Sequence, residues 1–351
     1  MPHRTADLRI RIQKPLLAPA SLAAELPLPD ASAAHVAHAR RDIVRILAGE
    51  DDRLLVLVGP CSIHDPDAAR EFAERLLAVA PLYRGELLLA MRVYFEKPRT
   101  VIGWKGLIND PLRDGTHDIN LGLRLARQLM LDVVARGLPV ATEFLETTFG
   151  QYYAELVAWA AIGARTVESQ IHREIASGLS MPVGFKNRTD GDIQVALDAI
   201  RTARHPHWFP SVTREGVSAV LGTTGNEHGH LVLRGGSRGP NYSSEHVRAA
   251  AALLAKNGLP ARLLVDCSHA NSAKDPARQP AVAADLAAQI AAGEPALAGV
   301  MLESNLLGGT QSQQAEPLTY GQSITDACLS WEETLPVLAT LAEAVRARRK
   351  K

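Results

Sequence analysis

An alternation constrains this chain more than any other feature. From Leu54 onward, short apolar runs of strand length take turns with amphipathic stretches of helical length. A run of about 4 to 8 apolar residues reads as a buried strand, and apolar residues at i, i+3 and i+4 read as the helix that covers it. The runs lie at 54–59, 87–93, 138–144, 164–169, 182–186, 230–235, 262–268 and 297–304. The helical segments begin near Asp67 and then fall within 119–136 and near 150–161, 172–179, 191–203, 244–257, 280–291 and 332–348. Strands alternating with helices pair in parallel through right-handed crossovers, and eight such units predict an α/β fold, a closed (β/α)8 TIM barrel. The competitor is an open doubly wound sheet, which lacks its usual GxGxxG turn after the first run.

Two segments stand outside the repeat. Residues 1–45 form an N-terminal extension with a β-prone piece at Leu8 to Ile12, a proline-punctuated stretch and a helix starting near Ala31; it suits oligomer or effector contact. Residues 205–229, with Trp208, Phe209, Val212 and Val220 among threonines and glycines, predict an inserted β-hairpin. The remainder, 46–351, reads as one catalytic barrel, and 46% hydrophobic content is enough to fill it. Lys plus Arg and Asp plus Glu are both 38, so no basic excess invites nucleic acid. No apolar run reaches the roughly 18 residues of a spanning helix, and the polar start has no signal-peptide core, which predicts a soluble, cytoplasmic protein with no membrane partner. Cys61, Cys267 and Cys328 are too few and too scattered for a disulfide scaffold.

In a barrel of this kind the C-terminal strand ends open on one face, so residues distant in sequence converge there. Those ends carry Cys61, Arg92, Glu143, Arg165, Lys186, Arg234, Asp266 with His269, and Glu303, all of them ionisable. Arg92, Arg165, Lys186 and Arg234, together with Lys97 and Arg99 from the basic stretch 91–106, supply charge and forked donors for phosphate and carboxylate. Gly235 and Gly236 would let backbone amides approach an anion. Against the cations stand Cys61, His269, Glu303 and Asp326, a mixed sulfur, nitrogen and oxygen set able to hold one divalent metal. That set does not discriminate among Mn, Fe, Co and Zn.

The segment 59–66, GPCSIHDP, and the stretch from Arg92 to Gly106 closely resemble class I 3-deoxy-D-arabino-heptulosonate-7-phosphate (DAHP) synthase. So do GARTVESQ at 163–170, PVGFKN at 182–187, LRGG at 233–236, DCSHAN at 266–271 and YGQSITDAC at 320–328. The resemblance implies condensation of phosphoenolpyruvate with erythrose 4-phosphate, releasing phosphate, as the first step of the shikimate route. It also implies metal ligands at Cys61, His269, Glu303 and Asp326. Phosphoenolpyruvate contacts fall on Arg92, Lys97, Arg165, Lys186 and Arg234, and erythrose 4-phosphate contacts on Arg99 and Thr100, with Lys97 and Asp326 close by. Lys97 and Lys186 are candidates for proton transfer, on the expectation that a crowd of arginines lowers a lysine's pKa.

The family resemblance extends to regulation. Phe144, Gln151, Leu179, Ser180, Phe209, Ser211 and Leu221 match a pocket for an inhibitory aromatic amino acid, beside the hairpin and a neighbouring subunit's extension in a homodimer or homotetramer. A serine at 211 goes, in the family, with phenylalanine rather than tyrosine sensitivity. If Asp326 is a ligand, Cys328 lies near Cys61 and a disulfide is feasible once metal is lost. Arg188 stands where the family usually has glycine, and the loop 235–240 is one residue longer than the resemblance leads one to expect. The alternatives are the related 3-deoxy-octulosonate-8-phosphate synthase, and a non-catalytic barrel that binds an aromatic amino acid.

Overall fold

The computed structural model describes residues 3, 5–99 and 103–351. Among them eight parallel strands close into a barrel: β1 (Leu54–Gly59), β2 (Leu87–Arg92), β3 (Val140–Glu143), β4 (Trp159–Ile162), β5 (Val183–Lys186), β8 (Gly229–Leu233), β9 (Leu263–Asp266) and β10 (Leu297–Glu303). The order around the barrel follows the chain, and β1 closes the ring against both β2 and β10. The antiparallel hairpin β6 (Trp208–Val212) and β7 (Ser218–Gly222) sits apart from the ring, within the expected insertion. No helix among the described residues is long and apolar enough to cross a membrane.

Side chains alternate between two cores with the period of a strand. Leu54, Val56 and Val58 of β1 belong to the outer core, against the surrounding helices, while Leu55 and Leu57 belong to an inner cluster with Ala90, Ala141, Trp159, Val232, Leu264 and Met301. Ile43, Ile46 and Leu47 join that inner cluster from helix α2 (Asp30–Ala48), which thereby closes one end of the barrel. Burying these apolar side chains contributes on the order of 1.5–3 kcal/mol each. The helix runs straight through the boundary expected at residue 45.

The fourth unit departs from expectation. A helix over 150–161 and a strand at 164–169 were predicted; α5 spans only Gly150–Tyr153, the strand is β4, and 164–169 is the turn that follows. The alanines of WAAIGA favour helix on propensity. Pairing on both sides, Ala141 with Trp159 and Ala160 with Val183, together with complete burial, overrides that preference. Next, α6 (Gln170–Gly178) begins at Ser169, whose Oγ accepts from the His172 amide at 3.4 Å.

At the N-terminus, Leu8 to Ile12 forms no strand, and its Leu8, Ile10 and Ile12 side chains are 64, 53 and 69% exposed. The proline-punctuated stretch contains an unanticipated short helix, α1 (Pro19–Glu25), that starts on proline, where the missing N–H costs nothing.

Trp159 fills the barrel interior. Its Nε1–H donates to His230 Nε2 at 3.0 Å, and Gly184 makes room, since a Cβ there would lie 2.3 Å from the indole. His230 Nδ1–H donates in turn to the His228 carbonyl at 3.1 Å, so the neutral ring uses one donor and one acceptor. Burial lowers the His230 pKa to about 4. An unfolded chain takes up this proton as the pH falls through 6.5, whereas the folded chain resists until about 4. The stability contributed by the neutral ring is therefore full above pH 6.5 and lost as the pH falls toward 4. The unfolding free energy of the wild type, read from urea titrations, is expected to drop between pH 7 and 5 by about 2 kcal/mol more than that of His230→Gln; parallel profiles would refute a neutral buried ring.

Candidate active site

The inward-facing period continues past the apolar layer. Two residues beyond Ala90, Ala141, Gly184, Val232, Leu264 and Met301 come Arg92, Glu143, Lys186, Arg234, Asp266 and Glu303. The same pleat that fills the barrel thus aims these six groups into its mouth. At the two remaining strands the matching positions are Gly59 and Gly163, and Cys61 and Arg165 follow two residues later. Gly163 is required by its neighbour, because a Cβ there would come within 2.2 Å of Glu143 Oε1.

Glu303 is the hub. Its Oε1 lies 3.2 Å from Arg92 Nη2, 3.9 Å from Lys97 Nζ and 3.9 Å from His269 Nε2, and its side chain is almost fully buried. Arg92 is wholly buried, with its guanidinium 4.1 Å over the Tyr94 ring and its Nε donating to the Pro60 carbonyl at 3.4 Å; Nη1 has no hydrogen-bond partner among the described residues. Cys61 Sγ lies 3.5 Å from Asp326 Oδ2. Ligand atoms of Cys61, Glu303 and Asp326 all fall within 4.8 Å of one another, and His269 approaches this trio through Glu303. One sulfur, one imidazole nitrogen and two carboxylates from separate loops fit a divalent transition metal. Burial, reinforced by Glu303, pushes the Cys61 thiol up to about 12.

The cations surround an adjoining cavity of about 390 Å³. Lys97, Arg99, Arg165, Lys186 and Arg234 line it, with Glu143, His269 and Asp326. Arg99 Nε donates to the Trp104 carbonyl at 2.8 Å, which anchors the basic loop; Thr100 lies outside the described residues. Lys186 Nζ is 3.0 Å from Asp266 Oδ2. Lys97 corrects one expectation. Burial alone would lower its ammonium pKa, but Cys61 and Glu303 outweigh burial and Arg92 and hold it above the ordinary value. Burial pushes the Asp266 carboxyl up, yet Lys186 and His269 prevail and hold it well below the carboxylate range.

Sequence reading missed the polar lattice that carries the loops. Asn187 Oδ1 accepts from the Arg234 amide at 2.8 Å and Asn241 Nδ2 at 3.2 Å, and Asn271 Oδ1 accepts from the Asn241 amide at 2.8 Å. No spacing rule reveals such contacts, because they join loops after three different strands. The lattice also revises the glycine reading. The Gly235 amide donates to Asn241 Oδ1 at 2.7 Å and the Gly236 amide to the Gly239 carbonyl at 2.9 Å, so both are occupied. These glycines serve close packing instead: a Cβ on Gly236 would lie 2.2 Å from the Gly191 nitrogen. Arg188 is taken up by Glu168, at 2.9 Å, and Asp190. Lys274 and Thr325 join the cavity wall without having been singled out.

A second cavity, about 640 Å³, opens between the hairpin and helices α5 and α6. Gln151, Leu179, Ser180, Phe209, Ser211 and Leu221 line it. Phe144 does not; it is buried behind, its ring 5.7 Å from that of Tyr153. Cys328 Sγ accepts from the Cys61 amide at 3.4 Å, and both cysteines are free.

Fold and cavity define a class: a (β/α)8 barrel enzyme whose mouth receives small polyanions beside a metal-type donor set. The DAHP synthetase I family model matches residues 27–339. The Phe-sensitive phospho-2-dehydro-3-deoxyheptonate aldolase of Escherichia coli strain K12 is 56% identical over 350 residues, covering 99% of this chain and 100% of that protein. The Trp-sensitive enzyme of Enterobacter agglomerans is 55% identical over 347 residues, 99% of each chain. The structure of phospho-2-dehydro-3-deoxyheptonate aldolase from Francisella tularensis SCHU S4 superposes with a TM-score of 0.95 at 52% identity, over 97% of this chain and 99% of that one. The chain belongs to the DAHP synthetase I family. That family is metal-dependent.

Cobalt(II) added to chelator-stripped protein is expected to give a sulfur-to-metal absorption band in the near ultraviolet. Cys61→Ser should remove it and Cys328→Ser retain it, since the Cys61 sulfur faces the Asp326 carboxylate whereas the Cys328 sulfur faces the Asp326 backbone carbonyl. A band that survived in Cys61→Ser would move the thiolate ligand elsewhere.

Proposed function

We propose that this chain condenses phosphoenolpyruvate with erythrose 4-phosphate to give DAHP and phosphate, the first step of the shikimate route to aromatic amino acids. The observation that carries the proposal is one cavity bordered by Lys97, Arg99, Arg165, Lys186 and Arg234 and by the Cys61, Glu303 and Asp326 donor set. Arg92, Lys97, Arg165, Lys186 and Arg234 hold the phosphate and carboxylate of phosphoenolpyruvate. Arg99 and Thr100 receive the sugar phosphate, with Lys97 and Asp326 close by. Holding both anions on preplaced cations turns an encounter of two like-charged molecules into reaction between neighbours.

Cys61, His269, Glu303 and Asp326 would hold one divalent metal per chain, which would supply Lewis acidity toward the aldehyde oxygen. Carbon 3 of phosphoenolpyruvate bonds to the aldehyde carbon while a water oxygen adds to carbon 2. Cleavage of the bond between carbon 2 and the phosphate oxygen then leaves the ketone and inorganic phosphate. The two water protons end on the new hydroxyl and on the released phosphate. Lys97, held as an ammonium beside Glu303 and Cys61, is the donor to the forming hydroxyl. Lys186 is the second group placed to pass a proton.

The 640 Å³ cavity is the proposed effector site, and its ligand is an aromatic amino acid. Phenylalanine is preferred to tyrosine, because the Ser211 side chain takes space that a phenolic hydroxyl needs. A homodimer or homotetramer, working in the cytoplasm, places the extension of one copy against the hairpin of another. The exposed Leu8, Ile10 and Ile12 of the extension, and Trp208 and Val220 of the hairpin, support that contact.

Phosphoenolpyruvate absorbance is expected to fall on adding erythrose 4-phosphate but not arabinose 5-phosphate, with chelator abolishing and metal restoring the loss. Preference for the five-carbon sugar would assign the octulosonate reaction instead; inertness toward both in metal-replete protein would leave a binding protein. In inhibition curves phenylalanine should act at lower concentration than tyrosine or tryptophan, and Ser211→Gly should narrow the gap to tyrosine. No response to any of the three would end the regulated reading.

A further inference from the structure

The Asp266 carboxylate sits between the two halves of the site. Its Oδ2 lies 2.9 Å from His269 Nδ1 and 3.0 Å from Lys186 Nζ. Its Oδ1 accepts from the Ser268 amide at 3.0 Å and from the Ser268 hydroxyl at 2.6 Å. The side chain is fully buried, and Asp266 ends β9, three residues before His269.

These contacts decide where the His269 proton resides. Nδ1 has two neighbours, Asp266 Oδ2 and Ser268 Oγ, the latter at 2.7 Å. A carboxylate only accepts. The Ser268 hydroxyl has already given its one proton to Asp266 Oδ1, so toward Nδ1 it too can only accept. Nδ1 therefore carries the hydrogen, and in the neutral ring the Nε2 lone pair is left facing Glu303, 3.9 Å away. The same carboxylate oxygen holds the Lys186 ammonium at the wall of the cation-lined cavity.

We infer that Asp266 is a positioning residue for the metal pole of the site, fixing the His269 tautomer for a metal with the same carboxylate oxygen that balances the Lys186 ammonium. The inference rests on the function proposed above for the choice of anion. Asp266 does not line the cation-lined cavity; it acts through His269. Carboxylates in this relation to a ligating histidine orient the ring and raise its basicity, and removing them typically lowers metal affinity about 10- to 100-fold. Its effect on the anion runs the other way. Asp266 places a negative charge beside an ammonium that receives an anion, so neutralising it weakens metal binding without weakening phosphoenolpyruvate binding. A residue that merely held the fold together would weaken both.

The test uses the full-length chain and needs no turnover. In the chelator-treated wild type labelled with 15N-histidine, the His269 signal, assigned by its loss in His269→Gln, is expected to show the proton on Nδ1. In Asp266→Asn, cobalt(II) affinity is expected to fall 10- to 100-fold while the phosphoenolpyruvate dissociation constant, read from tryptophan fluorescence, stays level or falls. A proton on Nε2 in the wild type overturns the inference, and so does cobalt affinity within twofold of the wild type in Asp266→Asn. A tenfold weaker phosphoenolpyruvate complex in that variant also overturns it. Should Asp266→Asn fail to fold, the wild-type tautomer decides alone. A wild type that passes these tests but consumes no phosphoenolpyruvate with erythrose 4-phosphate overturns the proposed reaction and leaves the placement of His269 standing.

Discussion

A buried charge must be compensated where it lies, and the Arg92–Glu303 pair is where this structure meets that demand. Neither side chain sees appreciable solvent, so each would be untenable without the other. Arg92 does not have Glu303 to itself, for Lys97 and His269 close around the same oxygen. The tyrosine face beneath Arg92 adds a second, softer counter-surface to the cation. Because every member is held by another, the set is ordered before any substrate arrives, which is what electrostatic catalysis requires. A single truncation there leaves several charges unanswered at once.

The barrel makes such a set affordable in space as well as charge. Its lower layers are closed by Leu55, Leu57, Trp159 and the α2 side chains, so the polar upper layer rests on a dry floor. The field between the buried Arg92 and Glu303 above that floor is little screened by water. The asparagine lattice of Asn187, Asn241 and Asn271 then ties together the loops that follow β5, β8 and β9. Those loops carry Lys186, Arg234 and His269 at or near their start, so their backbone order passes directly to the reacting groups. The second cavity lies off this axis, between the hairpin and α5 and α6, where its occupancy can differ without filling the mouth.

The sequence reading was strongest where physics is local and periodic. Seven of the eight strand segments overlap the strands found, because alternation of apolar runs with amphipathic stretches survives any tertiary detail. It failed at β4, where the alanines of WAAIGA favour helix locally and only pairing on both sides forces them straight. Leu8 to Ile12 shows the converse: β propensity without a partner strand in the chain yields no strand. Among the site residues, the strand-end groups were legible since strand ends converge by topology. Lys274 and Thr325 were not, because they sit on loops whose paths no periodicity describes.

By itself, then, the order of residues determined the barrel, the ionisable ring at its mouth and, through long shared motifs, the family. Those follow from covalent periodicity: a strand turns each second side chain inward, and eight strands must end on the same face. Tertiary structure alone decided the rest. It raised Lys97 where a crowd of arginines suggested the opposite, because the acidic groups around it outweigh burial and Arg92. It occupied the Gly235 and Gly236 amides and took Phe144 out of the second cavity. It also made Asp266 the common neighbour of His269 and Lys186, residues 83 apart in the chain. Charge balance and hydrogen-bond direction depend on three-dimensional neighbours, and those are set only when the strands have closed.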